Sequence, residues 1–220
     1  AVIDTSPFDE VHSLYLNAGG NVKNHYKFAE YCRKCIARES NEIVISSGEV
    51  SGQLRALVGD DKDGNVATLV NCSVSSSLYE LSVMFTKYFP QSSEDTKAAV
   101  LQLLQSVRSP LLPTVMLACN AYFQFLAHTD DTLLRTAGAL QVSKLMTIFC
   151  SDNPTLFTEA IETTPTIAWT GIIQQLWSLL IFPDPVPRKL FRRLTERVVL
   201  DFPELSVFPV IVGSLDNSNP

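Results

Sequence analysis

Apolar residues recur at helical spacing along most of this chain, and the exceptions are local. Residues 1–20 have mixed character and end in the breaker pair Gly19-Gly20. Within Val22 to Glu39, Phe28, Cys32, Cys35 and Ile36 share one helical face, while His25, Lys27, Arg33, Lys34 and Arg38 fill much of the rest. The rhythm then weakens. Residues 41–75 hold Ser46-Ser47-Gly48, Gly52, an acidic run Gly59 to Asn65, and short β-branched stretches at Ile43-Val44-Ile45 and Val66 to Val70. This reads as a loop-rich insertion with one helical piece near Ser51 to Val58, or else a short hairpin.

From Ser76 onward the helical pattern is firm. A helix is predicted from Leu78 to Phe89, stopping at Pro90. Ser92, followed three residues later by Asp95, resembles a capping box. Val100, Leu103, Leu104 and Val107 mark the face of the helix that follows, which ends before Pro110. Further helices are predicted over Val115–Ala127, over Thr132–Cys150 with Asp130 or Asp131 as its cap, and over Pro154–Glu162 with proline in its favoured first turn. Trp169, Ile172, Ile173, Leu176, Trp177 and Leu180 form one wide stripe. Phe191, Leu194 and Val198 start another, between Pro187 and Pro203, and Leu205, Phe208, Val212 and Leu215 suggest a third. Helices joined by short proline turns form antiparallel pairs, and each pair must bury its stripe on a neighbour. The expected fold is therefore all-α, an α-solenoid of helix pairs with degenerate repeats.

Composition narrows the class. The chain has 220 residues, 46% of them hydrophobic, with a net charge of −6. That is too apolar for a disordered tail, and nine Gly exclude a collagen-like repeat. No run approaches the 18 or so consecutive apolar residues of a membrane span. Five Cys, an odd number, suit free thiols in a reducing compartment rather than a disulfide scaffold. The acidic balance argues against general nucleic-acid binding. The first twenty residues lack a signal-peptide pattern, and a start at Ala1 rather than Met fits processing or an excerpt of a longer protein.

Catalytic motifs are missing. The sequence has no phosphate-binding glycine loop, no dinucleotide fingerprint, no His-Arg-Asp or Asp-Phe-Gly and no Gly-x-Ser-x-Gly. Cys32-Arg33-Lys34-Cys35 has the spacing of a redox pair or half a zinc site. Its only further ligand candidates are His25, Cys72 and His128, and none forms a second tight pair. The plainer reading is two small residues on a helix, one facing the core. Counting from Gly64 as the sixth position of a calcium loop puts Gly59 first and Val70 twelfth, where carboxylates are required, so the acidic run is a solvated turn. One charge feature stands out: Arg188, Lys189, Arg192, Arg193 and Arg197 within ten residues, opposed only by Glu196. It reads as a docking face for an acidic partner or a polyphosphate, or as an ordinary solvated helix face.

Two segments carry a resemblance. Glu162-Thr163-Thr164-Pro165 followed by Trp169 to Ser178, and Asp201-Phe202-Pro203-Glu204-Leu205 followed by Phe208-Pro209 to Gly213, resemble the end of the FAT region of phosphatidylinositol-3-kinase-related protein kinases. Gln174 stands where that family usually has Pro, and Phe208 where it has Tyr. Cys119 to Leu126 and Asp130-Asp131 are similar too, and Tyr26 to Lys34 more weakly. The members acting in nonsense-mediated mRNA decay are the most similar. The resemblance covers 115–213 firmly and 20–40 loosely, and does not extend over 41–110.

This resemblance implies that residues 1–220 are part of a FAT helical-repeat domain, with the kinase domain outside this chain. It implies a scaffold that braces the kinase domain of the same polypeptide and docks partners, with no catalytic residue and no cofactor or metal site of its own. ATP and Mg would belong to the parent serine/threonine kinase domain, and inositol hexakisphosphate is unassigned to any residue. The implied partners are that kinase domain, decay-factor subunits and an RNA helicase substrate, without membrane or direct nucleic-acid binding. The implied setting is cytoplasmic, with the nucleus as a second. Candidate packing anchors are Trp169, Trp177 and Phe208; candidate anion or partner contacts are Arg188, Arg192 and Arg193. The rival readings are a free-standing helical-repeat interaction adaptor and a cysteine-dependent enzyme or zinc protein.

Overall fold

The computed structural model describes residues 7–206 apart from Gly20, Asp60 and Lys62. Eleven α-helices occur among them: α1 Pro7–Asn17, α2 Val22–Ser46, α3 Gly48–Val58, α4 Asn65–Ser73, α5 Leu78–Tyr88, α6 Glu94–Arg108, α7 Leu112–His128, α8 Thr132–Phe149, α9 Pro154–Thr163, α10 Ile173–Leu179 and α11 Pro185–Asp201. Short 3-10 helices cover Ser109–Leu111, Thr166–Ile172 and Pro203–Ser206, and no strand occurs among the described residues. The fold is all-α, with antiparallel helices packed as in a helical-repeat solenoid.

The helix starts follow from polar caps. Ser77 and Glu80 form a reciprocal capping box at α5, with Glu80 N donating to Ser77 Oγ at 3.1 Å and Ser77 N to Glu80 Oε2 at 2.8 Å. Asp131, of the two expected candidates, caps α8 by accepting from Leu134 N at 3.0 Å. The cap of α6 is Ser93 rather than Ser92, accepting from Thr96 N at 3.1 Å. Ser93 sits in extended geometry and α6 starts at Glu94, so the expected Ser92–Asp95 capping box does not form the cap.

The longest pairing joins α2 to α7, which are distant in sequence. Tyr26 faces Phe125 with ring centroids 4.9 Å apart, Tyr122 Oη donates to Glu30 at 2.5 Å, and Thr114 Oγ1 donates to Glu39 Oε2 at 3.3 Å. Rising numbers on α2 meet falling numbers on α7, so the pair is antiparallel. The main core forms around it and takes in α8, α9, the 166–172 turn, α10 and α11. Between α2 and α7 the chain builds a second, smaller core from α3 to α6, centred on Leu54, Val66, Leu69, Leu81, Phe85 and Leu104. The continuous helical run Glu94–His128 is long and apolar enough to cross a membrane, but 56% of its most apolar window is buried inside the protein, as in a core helix.

Residues 41–75 therefore need correction: the helical piece expected near Ser51 to Val58 falls within α3, but the end of α2 and all of α4 stand where loop was expected. Ile43 and Val44 extend α2 because they pack on the main core. Val66, Leu69 and Val70 are buried at i, i+3, i+4, a helical period inside a stretch whose β-branching suggested strand. The acidic run falls between α3 and α4. Gly59 and Gly64 take positive φ of 80° and 70°, which suits glycine, and Asp61 caps α4 by accepting from Asn65 N at 2.8 Å and Val66 N at 3.1 Å.

The two cores are joined by a buried charge. Arg108, at the end of α6, and Asp152, after α8, are both 0% exposed and pair at 2.8 Å. Arg108 also donates to Ser76 O at 2.7 Å and Ile148 O at 2.8 Å, and lies 4.6 Å from the Phe149 ring centroid. Burial pulls the Arg108 guanidinium below its ordinary value, against the charge of Asp152. Burial pushes the Asp152 carboxyl up, against the charge of Arg108.

Candidate docking surface on the last helices

The end of the described chain is built on α11. Asp184 is buried and caps it, accepting from Val186 N at 2.9 Å and, at 3.4 Å, from Ser151 Oγ. Proline occupies the first turn, where no amide partner is needed. Leu190, Phe191, Leu194, Thr195 and Val198 are buried on one face. The opposite face carries the basic residues.

These five cations do not act as one group. Arg197 donates to the carbonyls of Ile161 and Thr164, and so satisfies the C-terminal end of α9. Arg193 pairs with Glu162 of α9 at 2.5 Å. Arg192 pairs with Glu196 one turn on, at 3.0 Å. Arg188 and Lys189 are exposed and form no ion pair among the described residues. Two open clefts flank Lys189. One, of about 920 Å³, runs between α11 and the start of α9, lined by Pro154, Thr158, Val186 and Leu190. The other, of about 630 Å³, lies beside Leu180 and Ile181.

Of the expected packing anchors, Trp169 is fully buried beside Phe123, with centroids 6.3 Å apart. Trp177 is half-buried against the same core. Phe208, Val212 and Leu215 lie outside the described residues. The expected single helix over the tryptophan stripe is instead the 3-10 segment Thr166–Ile172 followed by α10. Trp169 to Ile172 is one 3-10 turn and Ile173 to Leu176 is the next i, i+3 step, so the two geometries share one apolar pattern. The turn also packs closely on α8: a Cβ at Gly171 would fall on Thr136 Oγ1.

The cysteine pair serves the interior. Cys32 and Cys35 are both buried on α2, not one alone. Burial, with Cys35 adding, pushes the Cys32 thiol up to about 12. Burial also raises Cys119, across the same core, and takes Cys150 up to about 12. Thiols held this high are poor nucleophiles at neutral pH. Among the described residues no three of His, Cys, Asp and Glu come together as a metal site would require. Sequence reasoning missed the Arg108–Asp152 pair and the capping role of Arg197. The only signal for the first is a lone Arg at the apolar end of a helix, before Ser109-Pro110.

Comparison with known proteins adds a partial relationship. A stretch of 87 residues, 40% of this chain, is 33% identical to the serine/threonine-protein kinase Smg1 of Drosophila melanogaster. An 87-residue match to the serine/threonine-protein kinase SMG1 of Danio rerio is 32% identical. Part of this chain is related to a segment of these kinases. The match spans 3% of the fly protein and 2% of the fish protein. No family model and no solved structure matches the chain.

Proposed function

We propose that this chain is a scaffold segment of a serine/threonine protein kinase of the Smg1 kind, within its FAT region. The observation carrying the proposal is the 33% identity over 87 residues to the fly kinase. The helical-repeat fold supports it, because stacked repeats form an extended surface suited to holding neighbouring elements. In this reading the segment works by packing. Trp169 locks the 166–172 turn between α7 and α11, and Arg108 ties the two cores, so displacement at one end is transmitted rather than absorbed. The braced element is the kinase domain of the same polypeptide, which holds ATP and Mg. The pathway is nonsense-mediated mRNA decay, with decay-factor subunits as partners and an RNA helicase as substrate.

The test is immunoprecipitation from the source lysate with antibodies raised against this chain. The expected precipitate phosphorylates serine or threonine in an RNA-helicase fragment when given ATP and Mg. A precipitate without kinase activity, containing a polypeptide of this chain's own size, overturns the proposal in favour of a free-standing helical adaptor.

A further inference from the structure

The first half of α11 has an unusual charge arrangement. From Pro185 to Arg193 it carries four cations and no carboxylate, in a chain whose net charge is −6. Cations near a helix N-terminus oppose the positive end of the macrodipole. Arg193 and Arg192 are compensated by Glu162 and Glu196, which leaves Arg188 and Lys189 as uncompensated charge on the surface. Apolar surface adjoins them. Ile181 is 83% exposed, Val186 is exposed on the other flank, and the clefts on either side of Lys189 have Leu180 and Leu190 in their walls.

We infer that this face of α11 docks an acidic segment of a partner protein, with carboxylates against Arg188 and Lys189 and an apolar side chain in a flanking cleft. Charge complementarity names the occupant: the site is a local cationic patch that a carboxylate-bearing segment neutralises without leaving a buried unpaired charge. The apolar flanks decide against a small polyanion, which would meet the cations and leave Ile181 in water. The concave clefts suit inserted side chains better than a flat bilayer. The inference stands on the surface around α11 and does not need the kinase assignment.

The test is a selection of displayed random 12-residue peptides on the immobilised 220-residue chain, followed by fluorescence-polarisation titration of the enriched peptides. The expected winners combine Asp or Glu with Leu, Ile, Phe or Trp. Their binding weakens by roughly tenfold or more in Arg188→Glu/Lys189→Glu, and by a smaller factor in Ile181→Ser. It is unchanged in Arg55→Glu, which lies on α3 in the other core region. Circular dichroism confirms folding. The charge reversal puts acids near a helix N-terminus, so that variant melts no lower than the parent. Arg188→Gln/Lys189→Gln gives an intermediate loss and repeats the test should the reversal perturb the fold. The inference is overturned if no peptide is enriched, if the winners lack acidic residues, or if binding survives the double charge reversal. It is equally overturned if inorganic tripolyphosphate displaces the peptides with matching affinity, since the face would then read charge alone.

Discussion

Replacing Arg108 by methionine removes the charge that joins the two cores while keeping most of the side-chain volume. Asp152 then stays at 0% exposure with no cation, and the carbonyls of Ser76 and Ile148 lose their donor. Breaking a buried ion pair from one side costs about 3–5 kcal/mol, a large share of the roughly 5–15 kcal/mol that holds a domain folded. The loss has a pH signature. Burial already raises the Asp152 carboxyl, and removing Arg108 raises it further. A carboxyl with a raised folded pKa contributes stability below its unfolded value, and that contribution is lost as pH rises through the folded value. The deficit of Arg108→Met is therefore largest near neutrality and shrinks as Asp152 takes up a proton under acid conditions. The assay is urea unfolding followed by two probes. Both tryptophans pack in the main core, so their fluorescence reports that core, whereas far-ultraviolet circular dichroism reports every helix. The parent shows coincident transitions. In Arg108→Met the dichroism transition begins at lower urea, as α3–α6 unfolds first. A deficit below about 1 kcal/mol that ignores pH, with the probes still coincident, would refute the reasoning.

Trp169→Ala is expected to cost about 3–5 kcal/mol by opening a cavity beside Phe123, and a variant melting like the parent would contradict its role as an anchor. Gly171→Ala forces a methyl onto Thr136 and costs about 1–3 kcal/mol by overpacking; thermal melts should show partial recovery when Thr136→Gly is added. His25 accepts or donates a 2.7 Å hydrogen bond with Tyr15, and burial, then the His128 charge, lowers its pKa. Its contribution is thus present above the ordinary histidine value and lost as pH falls through the lowered one, so hydrogen exchange in α1 should accelerate as pH falls through that window, and Tyr15→Phe should flatten that dependence. A thiol-reactive dye at pH 8 should label Cys72 first, the only half-buried cysteine of the five, with the other four reacting only after unfolding; rapid native labelling of Cys32 would revive a thiol chemistry there.

Helix ends were readable where proline or a polar cap marks them, as at Pro90, Asp131 and Pro154. They were unreadable where the deciding contact is distant in sequence. Nothing local in Ile43-Val44-Ile45 tells that α2 continues, because the surface on which Ile43 and Val44 pack belongs to the main core, not to their neighbours. The basic cluster was visible as composition, but its division was not. Arg193 and Arg197 are engaged by residues of α9 over thirty positions earlier, and only the fold separates them from Arg188 and Lys189. The Arg108–Asp152 pair bridges residues 44 apart, beyond any periodic pattern.

The most direct test of the central claim is the size of the native polypeptide recognised by antibodies against this chain on an immunoblot of its source lysate. A segment of a kinase of the Smg1 kind predicts one band of several hundred kilodaltons, given that the matched stretch is 3% of the fly protein. A band near the chain's own 24.3 kDa would contradict the claim.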